Sequence, residues 1–164
     1  MVRSDRQMAD QQAREFLRRQ TVIHAGTCDA SGWPYVVPLM YVYEGGDLLY
    51  LHTGNHQGHF LANVRENPHI CLQVDEPGPL QRGQPSPCNS ALVYGSVIAY
   101  GTVQVLDGPA ANQKKTWFFD RLLDKLHEPL SAYQQPGYPM LNRIILYEVT
   151  LEMITGKLNV GLQH

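Results

Sequence analysis

One apolar run in the sequence is unusually long for a single strand. Residues 91–106 read ALVYGSVIAYGTVQVL, and the valine, isoleucine and tyrosine residues of this run favour extended structure. Gly95 and Gly101 interrupt the run, and at these positions we expect a bend, a bulge or the close approach of another group. Because barrels are built from long bent strands, this run predicts a β-barrel.

The rest of the chain supplies partners for this strand. Amphipathic segments at residues 5–20 and 109–127 predict peripheral helices. Further strands are predicted at residues 21–28, 33–43, 48–51, 69–75 and 143–154, with a turn at 155–157. Residues 77–87 contain four prolines and predict a surface loop. Together these elements predict a mainly β fold, a six-stranded antiparallel barrel with peripheral helices, in one domain over residues 1–164.

A polar corner interrupts the apolar pattern in residues 48–74, LLYLHTGNHQGHFLANVRENPHICLQV. The strand pattern breaks at Thr53, and Asn55 is a favourable N-cap for a helix of about three turns that begins near His56 and ends before Pro68. The first turn of a helix has free backbone N–H groups and the positive end of the helix dipole, and both attract anions. The sequence therefore predicts a phosphate-binding position at the start of this helix.

Composition excludes several classes of partner. A formal net charge of −2 at pH 7 provides no basic field for nucleic acid. No apolar stretch is long enough for a membrane span, and the N-terminal residues lack the apolar core of a signal peptide, so we expect a soluble, cytoplasmic protein without a membrane partner. Cys28, Cys71 and Cys88 are odd in number and have no CxxC spacing, which favours reduced thiols over a disulfide framework or a thiolate zinc site.

Four segments together resemble a known family. They are residues 26–76, from GTCDASGWPYVV to ICLQVDE, the DRQM segment near the N-terminus, GSVIAYGTVQVL, and VTLEMITGKL near the end. In this order they resemble the flavin-binding split-barrel proteins of the pyridoxamine 5′-phosphate oxidase-like superfamily, and most closely its nitroimidazole-resistance-type subgroup. The resemblance implies a six-stranded split barrel that forms a homodimer and holds FMN at the dimer interface.

The resemblance also implies a set of cofactor-binding residues. A strand segment lines the flavin ring, the end of the next strand and the start of the following helix hold the phosphate, and a hydroxyl and a lysine near the end of the chain complete the site. The corresponding residues are Val37, Pro38, Leu39 and Met40 for the ring; His52, Thr53, Gly58, His59 and Asn63 for the phosphate side; and Ser96 and Lys157. Many relatives have a basic pair after the glycine, whereas this chain has His59 followed by Phe60. A histidine with a pKa near 6.5 is only partly charged at neutral pH, so phosphate binding is expected to be weaker or more dependent on pH.

The function implied is an FMN-dependent oxidoreductase that reduces a small acceptor, such as a 5-nitroimidazole, with NAD(P)H or another donor. His52 and His59 are the candidate proton donors near the ring. The alternatives are a non-catalytic flavin or haem binding or sensor protein of the same fold, a deazaflavin enzyme, and an empty barrel that acts as an interaction module. In the haem alternative His24, His52 or His59 is the ligand.

A metal site is the remaining alternative at this corner. His52, His56 and His59 lie within a short span, and histidines are common zinc ligands. No carboxylate accompanies them in that span, and their spacing matches no metalloprotease motif. We therefore predict no metal site.

Overall fold

The fold is a closed antiparallel barrel of six strands, seen in a computed structural model that describes residues 4–54 and 58–161. The strands follow one another around the barrel in the order β1-β2-β3-β6-β5-β4, and β4 pairs with β1 to close it. They are β1 (Val22–Cys28), β2 (Pro34–Tyr43), β3 (Leu48–Gly54), β4 (His69–Gln81), β5 (Ala91–Leu106) and β6 (Ile144–Asn159). The predicted mainly β, six-stranded fold is confirmed.

Three α-helices lie outside this barrel: α1 (Asp10–Arg19), α2 (His59–Glu66) and α3 (Asn112–Leu126). Helix α1 begins later than predicted, because residues 4–6 form a separate 3-10 turn and Gln7 makes a β-bridge to Lys157. None of the helices in the described ranges is long and apolar enough to cross a lipid bilayer.

Helix α2 is shorter than predicted, about two turns rather than three. It begins at His59 because Gly58, with φ −92° and ψ 153°, is still extended and forms the N-cap. Asn55 and His56, the predicted cap and first residue, lie outside the described residues.

Two segments predicted as loop and turn belong to strands. Residues 77–81, predicted as part of a surface loop, continue β4 and pair with β5. The register shifts between Pro77 and Leu80, and such an irregularity accommodates proline, which has no N–H for the ladder. Residues 155–157, predicted as a turn, lie within β6, where Gly156 allows α1 to pack closely. A Cβ at Gly156 would lie 2.6 Å from Met8 Sδ and 2.9 Å from Ala13 Cβ.

The glycines of β5 explain how so long a strand fits the barrel. The register between β5 and β6 shifts between Tyr100 and Gly101, which is the bulge expected there. At Gly95 the closely approaching group is the ring of Phe16 from α1.

Apolar side chains form two clusters. The larger fills the barrel and includes Tyr41, Leu51, Leu72 and Tyr147, all essentially inaccessible to solvent. The smaller lies outside the barrel, where Phe118 and Leu122 of α3 pack on Val42, Tyr50 and Leu146. Strand β3 therefore has two covered faces, one turned to the barrel interior and one to α3.

Candidate functional site

The barrel opens between β2 and β3. These strands pair only through residues 41–43 of β2 and 49–51 of β3, whereas residues 34–40 of β2 pair with β1 alone among the described residues. One edge of β2 is therefore left with backbone N–H and C=O groups that no described strand satisfies. Helix α2 lies beside this edge, where the His59 ring meets the Tyr35 ring edge-on at a centroid distance of 5.7 Å.

The start of α2 provides a position for an anion beside the same edge. Ala62 N donates to Gly58 O at 3.1 Å, which is the first hydrogen bond of the helix, so the N–H groups of the first turn have no partner within the helix. A Cβ built on Gly58 meets nothing within 4 Å, so the space in front of it is open among the described residues. His59 is exposed at this position. The free N–H groups and the dipole of the helix both favour a negative charge here.

The four predicted residues of β2 divide between the two faces of the strand. Val37 and Leu39 point inward and pack against the barrel core. Pro38 and Met40 point outward, and the side chain of Met40 is 40% exposed. A ligand along this edge would meet the side chains of Pro38 and Met40 but only the backbone of Val37 and Leu39.

His52 and Thr53 also lie on opposite faces, because successive residues of a strand alternate. The hydroxyl of Thr53 lies 2.8 Å from that of Tyr147, at the partly open end of β3. His52 instead lies under α3, with centroid distances of 5.2 Å to the rings of both Phe118 and Phe119. Burial lowers the pKa of His52, and its Nδ1 has no hydrogen-bond partner in the described part of the chain. The structure thus brings Thr53, but not the ring of His52, toward the barrel opening.

Asn63 is turned inward rather than toward the opening. Its side chain is 5% exposed, and its Nδ2 donates to Thr27 Oγ1 at 3.0 Å. This contact joins α2 to β1 and so fixes the helix beside the edge of β2.

Ser96 and Lys157 lie next to each other but far from Thr53. They are paired across β5 and β6. Thr53 pairs with Ile145 at the opposite end of β6, and the twelve residues from Ile145 to Lys157 span about 40 Å along the strand. Within one chain Ser96 and Lys157 are therefore separated from Thr53, whereas His52 and Asn63 are turned away from the opening.

The structure describes two of the three histidines considered as metal ligands, and these two do not lie together. His52 lies under α3 and His59 on the exposed start of α2, whereas His56 lies outside the described residues. Among the residues that the structure describes, no three His, Cys, Asp or Glu side chains are grouped to hold a metal ion.

Tyr147 was not among the residues that the sequence identified. It is fully buried, bonds the Thr53 hydroxyl, and packs edge-on against Phe60 at a centroid distance of 5.0 Å. Burial raises the pKa of Tyr147, so its hydroxyl stays protonated at neutral pH. The inward alternation of Ile145, Tyr147 and Val149 in the last strand was the available signal.

A closed six-stranded barrel with an opening beside a short helix defines the split-barrel class of proteins. A sequence model described as pyridoxamine 5′-phosphate oxidase matches residues 9–158, and the chain belongs to this family. No curated protein matches the sequence significantly.

Solved structures share this fold. A candidate 5-nitroimidazole antibiotic resistance protein from Bacteroides thetaiotaomicron is 22% identical, with a TM-score of 0.72 over 92% of this chain and 85% of that one. An FAD-binding protein from Mesorhizobium loti is 24% identical, with a TM-score of 0.65 over 92% and 95% of the two chains. An FAD and haem binding protein from Mycobacterium smegmatis is 18% identical, with a TM-score of 0.76 over 97% and 76%.

Proposed function

We propose that the protein is an FMN-dependent oxidoreductase that reduces a small acceptor. The observation that carries this proposal is the open edge of β2 beside the start of α2. The edge offers backbone donors and acceptors in a row, and the helix start offers an anion position next to them. A ligand that joins a flat, hydrogen-bonding ring to a phosphate, as FMN does, matches both features.

The chain's own residues have separate tasks in this proposal. The backbone of residues 36–40 binds the edge of the ring, while Pro38 and Met40 cover part of its face. The N–H groups after Gly58, with the His59 side chain, bind the phosphate, and the Thr53 hydroxyl is held near them by Tyr147. The flavin supplies the electron transfer when it is bound, so the protein needs to bind, orient and shield it.

Among the two predicted proton donors, His59 is favoured by its position. It is exposed beside the open edge, whereas His52 is covered by Phe118 and Phe119. Since we place His59 on the phosphate, it can deliver a proton only if the acceptor reaches that end of the cofactor; to His52 we assign a packing role under α3.

The proposed acceptor and the alternative functions are inferred from proteins with similar structures. The resemblance to a nitroimidazole-resistance protein supports a nitro-aromatic acceptor such as a 5-nitroimidazole. We propose NAD(P)H or another reductant as the electron donor. The FAD and haem binding relative supports the alternative of a binding or sensor protein, because the fold accommodates more than one group. We propose a cytoplasmic location for either function.

The position of Ser96 and Lys157, far from Thr53 in the same chain, supports a homodimer. An apolar surface crosses the outside of the barrel from Val36 to Met153 along one row of paired residues that runs through β1, β4 and β5. Val36, Tyr100 and Met153 on it are between 43% and 60% exposed. A second copy packed on this surface would cover it and would bring its own Ser96 and Lys157 toward the opening.

A visible absorption spectrum of the purified protein, taken before and after FMN is added and the excess is removed, tests the cofactor. Retained flavin bands are expected, and a Soret band would assign haem instead. A colourless protein whose melting temperature does not rise with FMN would refute the flavin proposal. Oxidation of NAD(P)H that depends on a 5-nitroimidazole then separates the reductase from a flavin-binding protein without turnover.

The anion position is tested with His59→Ala. If His59 binds the phosphate, this variant should weaken FMN more than riboflavin, by about tenfold for one lost charge-assisted hydrogen bond. His127→Asn, at an exposed histidine that caps the end of α3, is the control and should leave both affinities unchanged. Equal losses for FMN and riboflavin in His59→Ala would remove the phosphate role.

A further inference from the structure

A second place in the molecule holds a nucleophile that the proposed cofactor site does not use. Lys125, in the last turn of α3, is half-buried and lines a cavity of about 400 Å³ between α1, α3 and the end of β2. This cavity lies apart from the start of α2, so a role for Lys125 does not depend on the proposed FMN function.

The ammonium group of Lys125 lacks the usual carboxylate partner. Its Nζ donates to the backbone oxygen of Tyr41 at 3.3 Å and lies 3.8 Å from the centroid of the Tyr41 ring. No Asp or Glu in the described part of the chain lies within ion-pairing distance of it. The charged form is therefore supported only by one carbonyl and one ring face.

The carboxylates that line the cavity are already engaged by Arg121. Its Nε lies 3.6 Å from Glu44, and its terminal nitrogen lies 3.1 Å from Asp124. Arg18, which also lines the cavity, pairs with Glu15 at 2.8 Å on the solvent side and acts as a positive charge near Lys125. The hydroxyl of Tyr43, the remaining titratable group of the cavity, stays neutral because burial raises its pKa.

We propose that Lys125 is a site of imine formation with small aldehydes. The neutral Nζ attacks the carbonyl carbon, and a C=N bond replaces the C=O bond with loss of one water molecule. Enzymes prepare lysines for this reaction by desolvating them or by placing a second cation beside them. Lys125 is half-buried, and Arg18 lines the same cavity.

The protonation state of Lys125 agrees with this role. Burial and the neighbouring Arg18 lower the pKa of Lys125 to about 8. At pH 7.5 about a quarter of such a group is neutral, against about 0.1% of a lysine with the ordinary pKa of 10.4. The sequence contains few lysines, namely Lys114, Lys115, Lys125 and Lys157, so each can be followed separately.

The test is labelling of the intact protein with limiting propanal and cyanoborohydride, which traps the imine as an N-propyl lysine. Peptide mass spectrometry gives the rate at each lysine. At pH 7.5 we expect Lys125 to react at least tenfold faster than Lys114, whose Nζ donates to the Tyr50 hydroxyl at 3.1 Å and which lies outside the proposed cofactor site. At pH 10, where ordinary lysines are also substantially neutral, this preference should fall by more than tenfold. Equal or slower labelling of Lys125 at pH 7.5, or a preference that does not change with pH, would overturn the proposal.

Two variants on the exposed face of α1 test the electrostatic cause. Arg18→Gln removes the neighbouring charge and should slow the labelling of Lys125 at pH 7.5 severalfold. Arg19→Gln is the matched control, because Arg19 also pairs with a carboxylate, Glu76, but does not line the cavity, so this variant should leave the rate unchanged. An equal rate in both variants would refute the role of Arg18.

Discussion

The buried hydrogen bond between Asn63 and Thr27 yields a prediction that separates a structural role from a cofactor-binding one. Both side chains are at most 5% exposed, and the amide nitrogen and the hydroxyl oxygen lie 3.0 Å apart. In Asn63→Ala the Thr27 hydroxyl loses this partner inside the protein. A buried polar group left without its partner costs about 1–3 kcal/mol. We therefore expect Asn63→Ala to lower the free energy of unfolding by that amount.

Urea denaturation measures this change as a shift of the midpoint by about 1 M, since m-values of small proteins are about 1–3 kcal/mol per molar. Thr27→Val removes the other partner with little change in shape and should cost a similar amount. The double variant leaves neither group unpaired at that contact and should cost less than the sum of the two, with a coupling energy of about 1 kcal/mol. Glu66→Ala, at an exposed position of α2, is the control and should change stability by less than about 0.5 kcal/mol.

Loss of FMN binding without loss of stability would refute the structural role of Asn63. If Asn63→Ala leaves the urea midpoint unchanged and weakens FMN more than tenfold, the amide turns toward the ligand and the contact with Thr27 does not stabilise the fold. If both stability and binding fall, the double-mutant cycle distinguishes the causes. A structural contact gives a coupling energy in the absence of FMN, whereas a direct ligand does not.

Two further predictions concern stability. Burial lowers the pKa of His52, so at this residue the folded protein binds fewer protons than the unfolded chain. The contribution of His52 to the free energy of unfolding is therefore full above about pH 6.5 and is lost as the pH falls below that value. Urea midpoints between pH 5 and 7 should therefore vary more steeply in the native protein than in His52→Gln, and parallel profiles would contradict this. Gly101→Ala should cost about 1–3 kcal/mol or more, because a Cβ there meets the backbone oxygen of Thr150, whereas Gly46→Ala meets nothing within 4 Å and should be nearly neutral. Thermal melts that show equal losses would disprove the close approach.

The strands were predictable because alternation and β-branched composition carry most of the information about a barrel. The long run of β5 was predicted with its observed bounds, Ala91–Leu106. The predicted secondary structure was wrong where a residue type common in turns or loops is needed for a contact with another part of the fold. Gly156 is typical of a turn but serves the packing of α1 against β6, and Pro77 is typical of a loop but lies at an irregularity of a paired strand. Neither role can be predicted without the position of the neighbouring element, α1 for Gly156 and β5 for Pro77.

The candidate site was less predictable, because a list of residues does not specify the direction of a side chain. His52 and Thr53 are adjacent in the sequence but lie on opposite faces of β3, and only the position of α3 shows which face is covered. Lys125 was missed for a similar reason. Nothing in its local sequence indicates that Arg121 engages the nearby carboxylates or that Tyr41 lies beneath the ammonium group.

The surface proposed for dimerisation has its own test. Met153→Glu would place a charge in the apolar surface and should convert the dimer to a monomer in gel filtration, because a buried unpaired charge is costly. Met140→Glu, at a methionine that is 57% exposed elsewhere, is the control and should leave the dimer intact. A native protein that elutes as a monomer at micromolar concentration would refute the proposed dimer.

The separation of His59 and Lys157 within one chain leads to a sharper test of a shared site. If one copy supplies His59 and the other supplies Lys157, both sites of a His59→Ala dimer are defective, and so are both sites of a Lys157→Ala dimer. Refolding equal amounts of the two variants together makes half of the dimers mixed. Each mixed dimer has one site with both changes and one site with neither, so a quarter of all sites should regain the native affinity for FMN. A mixture of dimers that shows no recovery would place the two residues in different sites or in the same chain's site, and the assignment of Lys157 across the interface would then be wrong.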